Sequence, residues 1–368
     1  MSGPPDDRVR IIAFYLPQFN PIPENDAWWG KGFTEWTNVA RARPLFRQHY
    51  QPHLPADLGF YDLRLPETRE AQADLACEHG IEAFCYWHYW FHGRRLLETP
   101  IDEVARLGRP NFGFCLAWAN EPWSRRWPGE ERDILMPQEH SPEDDEAHAR
   151  WLAAKFADPR HVRVGGRPLF LVYRPRHLPD ARRTTDMIRA VSVKEGLPEP
   201  YLLGIDGHCR GTDCREIGFD GTMRFEPQLG SLPDAFVDGP TLGKLRRNVA
   251  LGIPSASLKV YDYEEARRLM NRDTPAFPTY PSIFVGWDNT PRRGAHGVVV
   301  VNSTPEAFGA GLRRFAELAR HNGSDEPIVF INAWNEWAEG NHLEPDQRYG
   351  LRFLQEVKRL ATTSQRPT

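Results

Sequence analysis

Eight apolar runs recur along the chain, at residues 11–16, 83–87, 112–117, 169–173, 202–205, 221–225, 283–285 and 328–331. Most are apolar at every position rather than at alternate ones, the pattern of parallel strands covered on both faces. Helical stretches separate many of them. Residues 65–80 carry Pro66 in the first turn and Gly80 just past the end, the usual asymmetry of helix termini. Ser141, ahead of Pro142 and Glu143, reads as an N-cap. After Thr304-Pro305-Glu306, the spacing of Phe308, Leu312, Phe315 and Ala319 marks one buried helix face. Eight such alternating units predict an α/β fold, a (β/α)8 TIM barrel spanning residues 10–360 as a single domain, with flexible tails at 1–9 and 361–368. A doubly wound sheet is the competing architecture, but no Gly-x-Gly-x-x-Gly turn follows any of the strands.

The connections are lopsided. Links from helix to strand are short, as at residues 79–81 and 107–111, whereas links from strand to helix are long: 17–65, 118–141, and from 226 toward 242. In a barrel all strand-to-helix loops emerge at the C-terminal face, which hosts active sites, and loops of this length are commonly functional. Polar and aromatic residues gather where those loops begin. Tyr15 and Gln18 follow the first strand, then Trp28, Trp29, Glu35 and Trp36. His88, Tyr89 and Trp90 end the second, and Trp118, Asn120 and Glu121 the third. Arg174, Asp206, Glu226 and Trp287 lie further round, and Trp334, Asn335, Glu336, Trp337 and Glu339 follow the eighth. Together they predict an aromatic substrate cleft with convergent acids. Singly, each has a structural alternative: Trp28 and Trp29 pin the first loop, Arg174 pairs with Asp206 or Glu226, and His88 and His92 are packing or surface residues. Neither histidine has a third ligand in reach, so no metal site and no cofactor are expected.

Composition narrows the function classes. Lys and Arg number 46 against 50 Asp and Glu, and the net charge of −4 argues against a nucleic-acid partner. No run approaches the roughly 18 apolar residues of a membrane span, and the start has no apolar leader, so a cytoplasmic protein without membrane insertion is expected. Of five cysteines, Cys77, Cys85 and Cys115 occupy helix or strand positions expected to be buried. Cys209 and Cys214 are close enough for a local disulfide or half a metal site, but no second pair has ligand spacing, so free thiols are expected. The aromatic load is heavy: 12 Trp, 11 Tyr and 20 Phe, many beside Asn, Glu, His and Pro. Such placement suits an oligo- or polysaccharide, because rings stack on pyranose C–H faces.

Hydrolysis of a glycoside needs one group to protonate the leaving oxygen and another to assist at the anomeric carbon. Carboxyls do both when burial raises one and hydrogen bonds hold the other ionised. Glu336 with Glu339, or Glu121 with Glu226 or Glu336, could supply the pair. The first pair sits between Trp334 and Trp337 at a strand end, where a merely solvated turn would rarely place two Trp.

Four stretches carry a resemblance: Ala13-Phe14-Tyr15-Leu16-Pro17-Gln18-Phe19, residues 28–39, residues 84–91, and Phe330-Ile331-Asn332-Ala333-Trp334-Asn335-Glu336-Trp337-Ala338-Glu339-Gly340. They resemble the WbsX family of bacterial O-antigen and surface-polysaccharide gene clusters, described as glycosyltransferases, over about residues 9–360. That family in turn resembles glycoside hydrolase family 99, the endo-α-mannosidases and endo-α-mannanases, which are (β/α)8 barrels. Their Asn-Glu-Trp-His-Glu-Gly segment carries both catalytic acids, and this chain matches it with Ala338 in place of His. The resemblance implies Glu336 as base on the sugar 2-hydroxyl, a 1,2-anhydro intermediate, and Glu339 as general acid and base. The first reading is therefore a retaining glycosidase on a bacterial surface polysaccharide with mannose- or rhamnose-type units, endo-acting because an open cleft lined by Trp offers platforms for several sugar rings. A glycosyltransferase lacks support from any Asp-x-Asp or nucleotide-binding turn. A non-catalytic carbohydrate-binding barrel and a Glu121-Pro122 acid/base are the remaining alternatives.

Overall fold

The computed structural model describes residues 8–125, 133–207, 211–232, 258–270, 276–321 and 326–363, with residues 249 and 252. Each apolar run forms a strand: β1 (Arg10–Tyr15), β2 (Ala83–Phe91), β3 (Gly113–Trp118), β4 (Arg167–Val172), β5 (Tyr201–Asp206), β6 (Gly221–Arg224), β7 in two pieces (Thr279–Tyr280 and Ser282–Phe284) and β8 (Ile328–Asn332). Every strand pairs in parallel with its sequence neighbour. Pro281 breaks β7, because proline has no N–H to donate. The first piece pairs with β6 and the second with β8. The Phe330 N–H reaches across to the Pro281 carbonyl at 3.0 Å. β8 pairs with β1, which closes the (β/α)8 ring.

Both faces of the strands are buried, which is why the runs read as continuous. Phe14 points into the barrel, stacked on Trp87 with ring centroids 4.9 Å apart and edge-on to Phe225 at 5.1 Å. The next residue, Tyr15, points outward and donates its hydroxyl to Gln72 on the helix Pro66–Glu78 at 2.7 Å. Period-two alternation thus separates barrel interior from helix layer without a matching alternation of polar and apolar residues. The helix signals hold in detail. Ser141 caps Pro142–Phe156 by accepting from the Asp144 N–H at 3.1 Å, and Phe308, Leu312, Phe315 and Ala319 are buried on Pro305–His321.

Three expectations need adjustment. The fifth unit has no α-helix among its described residues, only the single turn Cys214–Ile217. Cys77 lies on the exposed side of its helix, whereas Cys85 and Cys115 are buried as expected; Cys209 lies outside the described residues. The final helix, Arg352–Thr363, runs into the segment read as a tail. The long loop after β1 contributes two short helices, Pro23–Trp29 and Glu35–Arg41, to the C-terminal face. No helix among the described residues is long and apolar enough to cross a membrane.

Phe14 is fully buried at the centre of the barrel. Its replacement by Ala leaves a cavity that neighbouring rings cannot collapse into, and a loss of about 3–5 kcal/mol is expected in denaturant unfolding. A loss below ~1 kcal/mol would contradict this packing.

Candidate active site

Three elements converge at the C-terminal face: the helix Glu35–Arg41 after β1, the short helix Thr290–Arg293 after β7, and the turn Trp337–Glu339 after β8. Arg292 joins them. Its Nη2 lies 3.0 Å from Glu35 Oε2 and 3.1 Å from Glu336 Oε2, while Nη1 donates to Glu339 Oε1 at 2.6 Å. Neither acid of the eighth loop points into bulk solvent, since their side chains are 10% and 21% exposed. The turn places the i and i+3 carboxyls side by side and ends at Gly340, with φ of +57°. A Cβ there would sit 3.0 Å from Asp288 Cβ and 3.1 Å from Asp288 N, so the close approach requires glycine.

Each contributor is held from behind. Asp288 accepts from the Thr290 N–H at 3.0 Å and the Thr290 hydroxyl at 2.6 Å, which starts the helix that presents Arg292. Burial alone would raise Asp288, but hydrogen bonds from His49, Thr290 and Gln51 hold it below the usual carboxylate range. Trp337 stacks on His342 with centroids 3.7 Å apart and donates Nε1 to Glu344 at 2.6 Å. Glu344 also receives Gln72 at 2.6 Å and the Tyr61 hydroxyl at 2.8 Å, yet burial still pushes it up to about 7.

The electrostatics follow from counting charges. One guanidinium faces three carboxylates, so full ionisation would leave two uncompensated negative charges in a poorly hydrated site. Burial, then the neighbouring Glu339, pushes Glu336 up to about 8, against the pull of Arg292. Burial raises Glu339 as well, again opposed by Arg292. The two titrate as a unit that retains a proton near neutral pH. Around them lie Tyr89 and Tyr173, whose hydroxyls are raised by burial first and then by Glu336 and Glu121 respectively. The Glu121 carboxylate is paired with Arg174 at 2.9 Å. Trp123 packs edge-on against Tyr89 at 5.1 Å and against Trp28 at 5.8 Å.

Of the substrate-contact residues expected from sequence, Glu35, Tyr89, Glu121 and Arg174 cluster with the acidic pair. Others turn away, and these are corrections. On β2, Trp87 and Tyr89 face the barrel axis, so His88 and Trp90 face the helix layer. There His88 Nε2 meets His148 Nε2 at 2.9 Å and Trp90 donates to Asp144 at 2.9 Å. Trp118 is buried against His148, and Trp334 against Phe84. Tyr15 is committed to Gln72, as above. Asn120 bridges strand ends by donating to the Arg174 carbonyl at 2.9 Å and accepting its N–H at 2.7 Å. Asn335 does the same to Leu16, at 3.0 Å and 2.7 Å. Trp36 donates to the Tyr61 carbonyl at 2.8 Å and packs on Trp337, so it pins the first loop. Gln18 receives the Glu35 N–H at 3.1 Å through its carbonyl. Asp206 accepts the Gly211 N–H at 3.0 Å, Glu226 accepts the Gln228 N–H at 3.1 Å, and Trp287 packs with Tyr263 and Phe284. Arg174 pairs with Glu121, not with Asp206 or Glu226.

Arg292 is not among the site residues expected from sequence. The signal for Arg292 was Asn289-Thr290-Pro291-Arg292-Arg293, a proline-initiated turn carrying two cations on the functional face. Among the described residues, His53, His342 and Asp346 form a group that could hold a metal ion.

Comparison with known proteins places this geometry in context. The family model described as Glycosyltransferase WbsX matches residues 11–357. The uncharacterized protein WxcX of Xanthomonas campestris pv. campestris, strain B100, is 44% identical over 356 residues, covering 96% of this chain and 50% of its own length. Its counterpart in strain ATCC 33913 matches equally well, so the chain spans about half the length of the curated relatives it matches. A solved endo-alpha-mannosidase of glycoside hydrolase family 99 from Bacteroides thetaiotaomicron has a similar fold, with TM-score 0.55 and 15% identity over 98% of both chains. A solved glycoside hydrolase-like protein gives TM-score 0.57 at 13% identity, over 98% of this chain and 96% of that one.

A buried carboxyl that keeps its proton in the folded state opposes folding as pH rises. The folded protein binds more protons than the unfolded chain between about 4.5 and about 8, so stability falls with pH across that window. Glu336→Gln removes much of this slope. Its thermal midpoint is expected to gain on the wild type progressively from pH 5 to pH 8, and parallel pH profiles would refute the assignment.

Proposed function

The chain belongs to the WbsX family, and on that premise we propose that it is a retaining glycoside hydrolase, endo-acting on a bacterial surface polysaccharide with mannose- or rhamnose-type units. The observation that carries this reading is the buried pair Glu336 and Glu339, bridged by Arg292 at the C-terminal mouth of the barrel. Glu336 removes the proton of the sugar 2-hydroxyl as O2 attacks C1, and Glu339 gives its proton to the departing glycosidic oxygen. Glu339 then takes a proton from water as that water opens the 1,2-anhydro ring at C1, while Glu336 returns a proton to O2. Two inversions at C1 give net retention, with no ester to the protein, unlike the usual carboxylate-nucleophile pair.

The resting electrostatics have a direct bearing on these roles. Without substrate, burial favours the proton on Glu336, which as a base must be ionised. A 2-hydroxyl donating to Glu336 stabilises its charged form, so substrate binding transfers the shared proton to Glu339, where the acid is needed. Tyr89 and Tyr173 are suited to donate to sugar hydroxyls, and the half-buried rings of Trp28 and Trp123 to stack on adjacent sugars, in keeping with endo action.

The family's description favours a second reading, transfer from an activated sugar. Against it stands the lack of an Asp-x-Asp element for a metal-bound nucleotide.

Glu336→Gln and Glu339→Gln are each expected to fold and to lose about 10²–10⁴-fold in release of reducing ends from purified O-antigen polysaccharides. Near wild-type turnover by either variant would remove that residue from the mechanism. Calorimetry with nucleotide sugars separates the two readings: tight binding, with no reducing ends from any polysaccharide, would favour transfer.

A further inference from the structure

Behind Gly340, on the side away from the acidic pair, lies a cavity of about 380 Å³ lined by residues of the first, seventh and eighth loops. None of Glu35, Arg292, Glu336 or Glu339 lines it. His53, His342 and Asp346 share one wall, and one ligand atom from each falls within 4.8 Å of the other two. We propose that these three residues bind a single divalent transition-metal ion, with zinc the best chemical match, and that the ion ties the first loop to the loop carrying the acidic pair.

Two imidazoles and one carboxylate form a zinc-type donor set; calcium and magnesium prefer oxygen ligands throughout. His53 Nδ1 and His342 Nε2 are 3.0 Å apart. Ligands bound at about 2.0–2.1 Å in a tetrahedron sit roughly 3.4 Å from one another, so the two histidines need to part by only a few tenths of an ångström, with the carboxylate of Asp346 closing in from within 4.8 Å. His342 has the orienting hydrogen bond of a metal ligand: its Nδ1 donates to the Glu344 carbonyl at 3.1 Å, which leaves the Nε2 lone pair aimed at His53. Asp346 is anchored too. Its Oδ1 accepts the N–H groups of Arg348 at 3.0 Å and Tyr349 at 2.6 Å, and Oδ2 is left to bind the ion.

The backbone presents the ligands on a paired junction. The Gln347 N–H donates to the Leu54 carbonyl and the Ala56 N–H to the Pro345 carbonyl, both at 2.9 Å, so His53 and Asp346 flank a short antiparallel bridge. The Arg348 guanidinium is drawn over the rings of Tyr50 and Tyr349, 4.7 and 4.9 Å from their centroids. The cavity leaves the fourth position open to water or a small ligand. His53 Cε1 would lie 3.4 Å from a Cβ at position 340, so fixing His53 buttresses the residue that ends the Trp337–Glu339 turn.

The competing account is a direct His53–His342 hydrogen bond with no ion. Titration of chelator-treated full-length protein with zinc chloride, followed by calorimetry and elemental analysis, decides between them. One equivalent is expected to bind with a dissociation constant of micromolar or below and to raise the thermal midpoint. His53→Gln and Asp346→Asn, the latter keeping Oδ1 as an acceptor, are expected to weaken zinc at least 100-fold, with metal-free midpoints near that of the metal-free wild type. Less than one equivalent on the wild type, or equal affinity in both variants, would overturn the site. The wild-type measurement stands even if a variant fails to fold. It does not depend on any glycosidase activity.

Discussion

A single guanidinium among three carboxylates organises the C-terminal face of this barrel. Among the described residues, Arg292 links Glu35 of the first loop to both acids of the eighth. Its charge cannot neutralise all three, and that shortfall keeps a proton on the Glu336–Glu339 pair near neutral pH. The same shortfall makes the pair responsive. Any ligand that donates a hydrogen bond to one acid moves the proton toward the other. Structural economy and chemical poise therefore have a common origin in a deficit of positive charge.

The site is only as good as what lies behind it. Asn335 sits next to Glu336 and grips both the N–H and the carbonyl of Leu16, so the start of the acidic turn is tied to the end of β1. Glu344 collects Trp337, Gln72 and Tyr61, linking the turn to the helix Pro66–Glu78 and to the first loop. Such buried networks are costly when half-made, and here Trp337, Gln72 and Tyr61 all reach the carboxylate. Asp288 plays the same part for the helix that bears Arg292. The acids are thus positioned through buried polar neighbours, with the Trp337 indole serving as one of the donors in that network.

That distinction explains most of the misplaced expectations. Clusters such as Tyr86-Trp87-His88-Tyr89-Trp90 look like one aromatic surface in sequence, yet the strand divides them between barrel interior and helix layer. Trp87 and Tyr89 reach the axis; His88 and Trp90 meet His148 and Asp144 instead. Trp118 and Trp334, each at or just past the end of a strand, are buried on the same outer side. In a parallel barrel both sides are apolar, so residue type alone cannot say which side an aromatic takes.

The eight strands, the helix caps and the pairing of two acids on the last strand-to-helix loop could all be read from the chain itself, because they depend on local spacing: continuous apolar runs, Pro66 and Ser141 at helix starts, two carboxyls three residues apart. Only tertiary structure could decide which residues complete the site. Arg292 lies 44 residues before Glu336 and 257 after Glu35, and nothing in its own neighbourhood records those partners. The convergence of His53 with His342 and Asp346 is of the same kind. Local sequence specifies the elements, whereas closure of the ring determines which loops meet, and the charges and lone pairs that matter here belong to loops that meet.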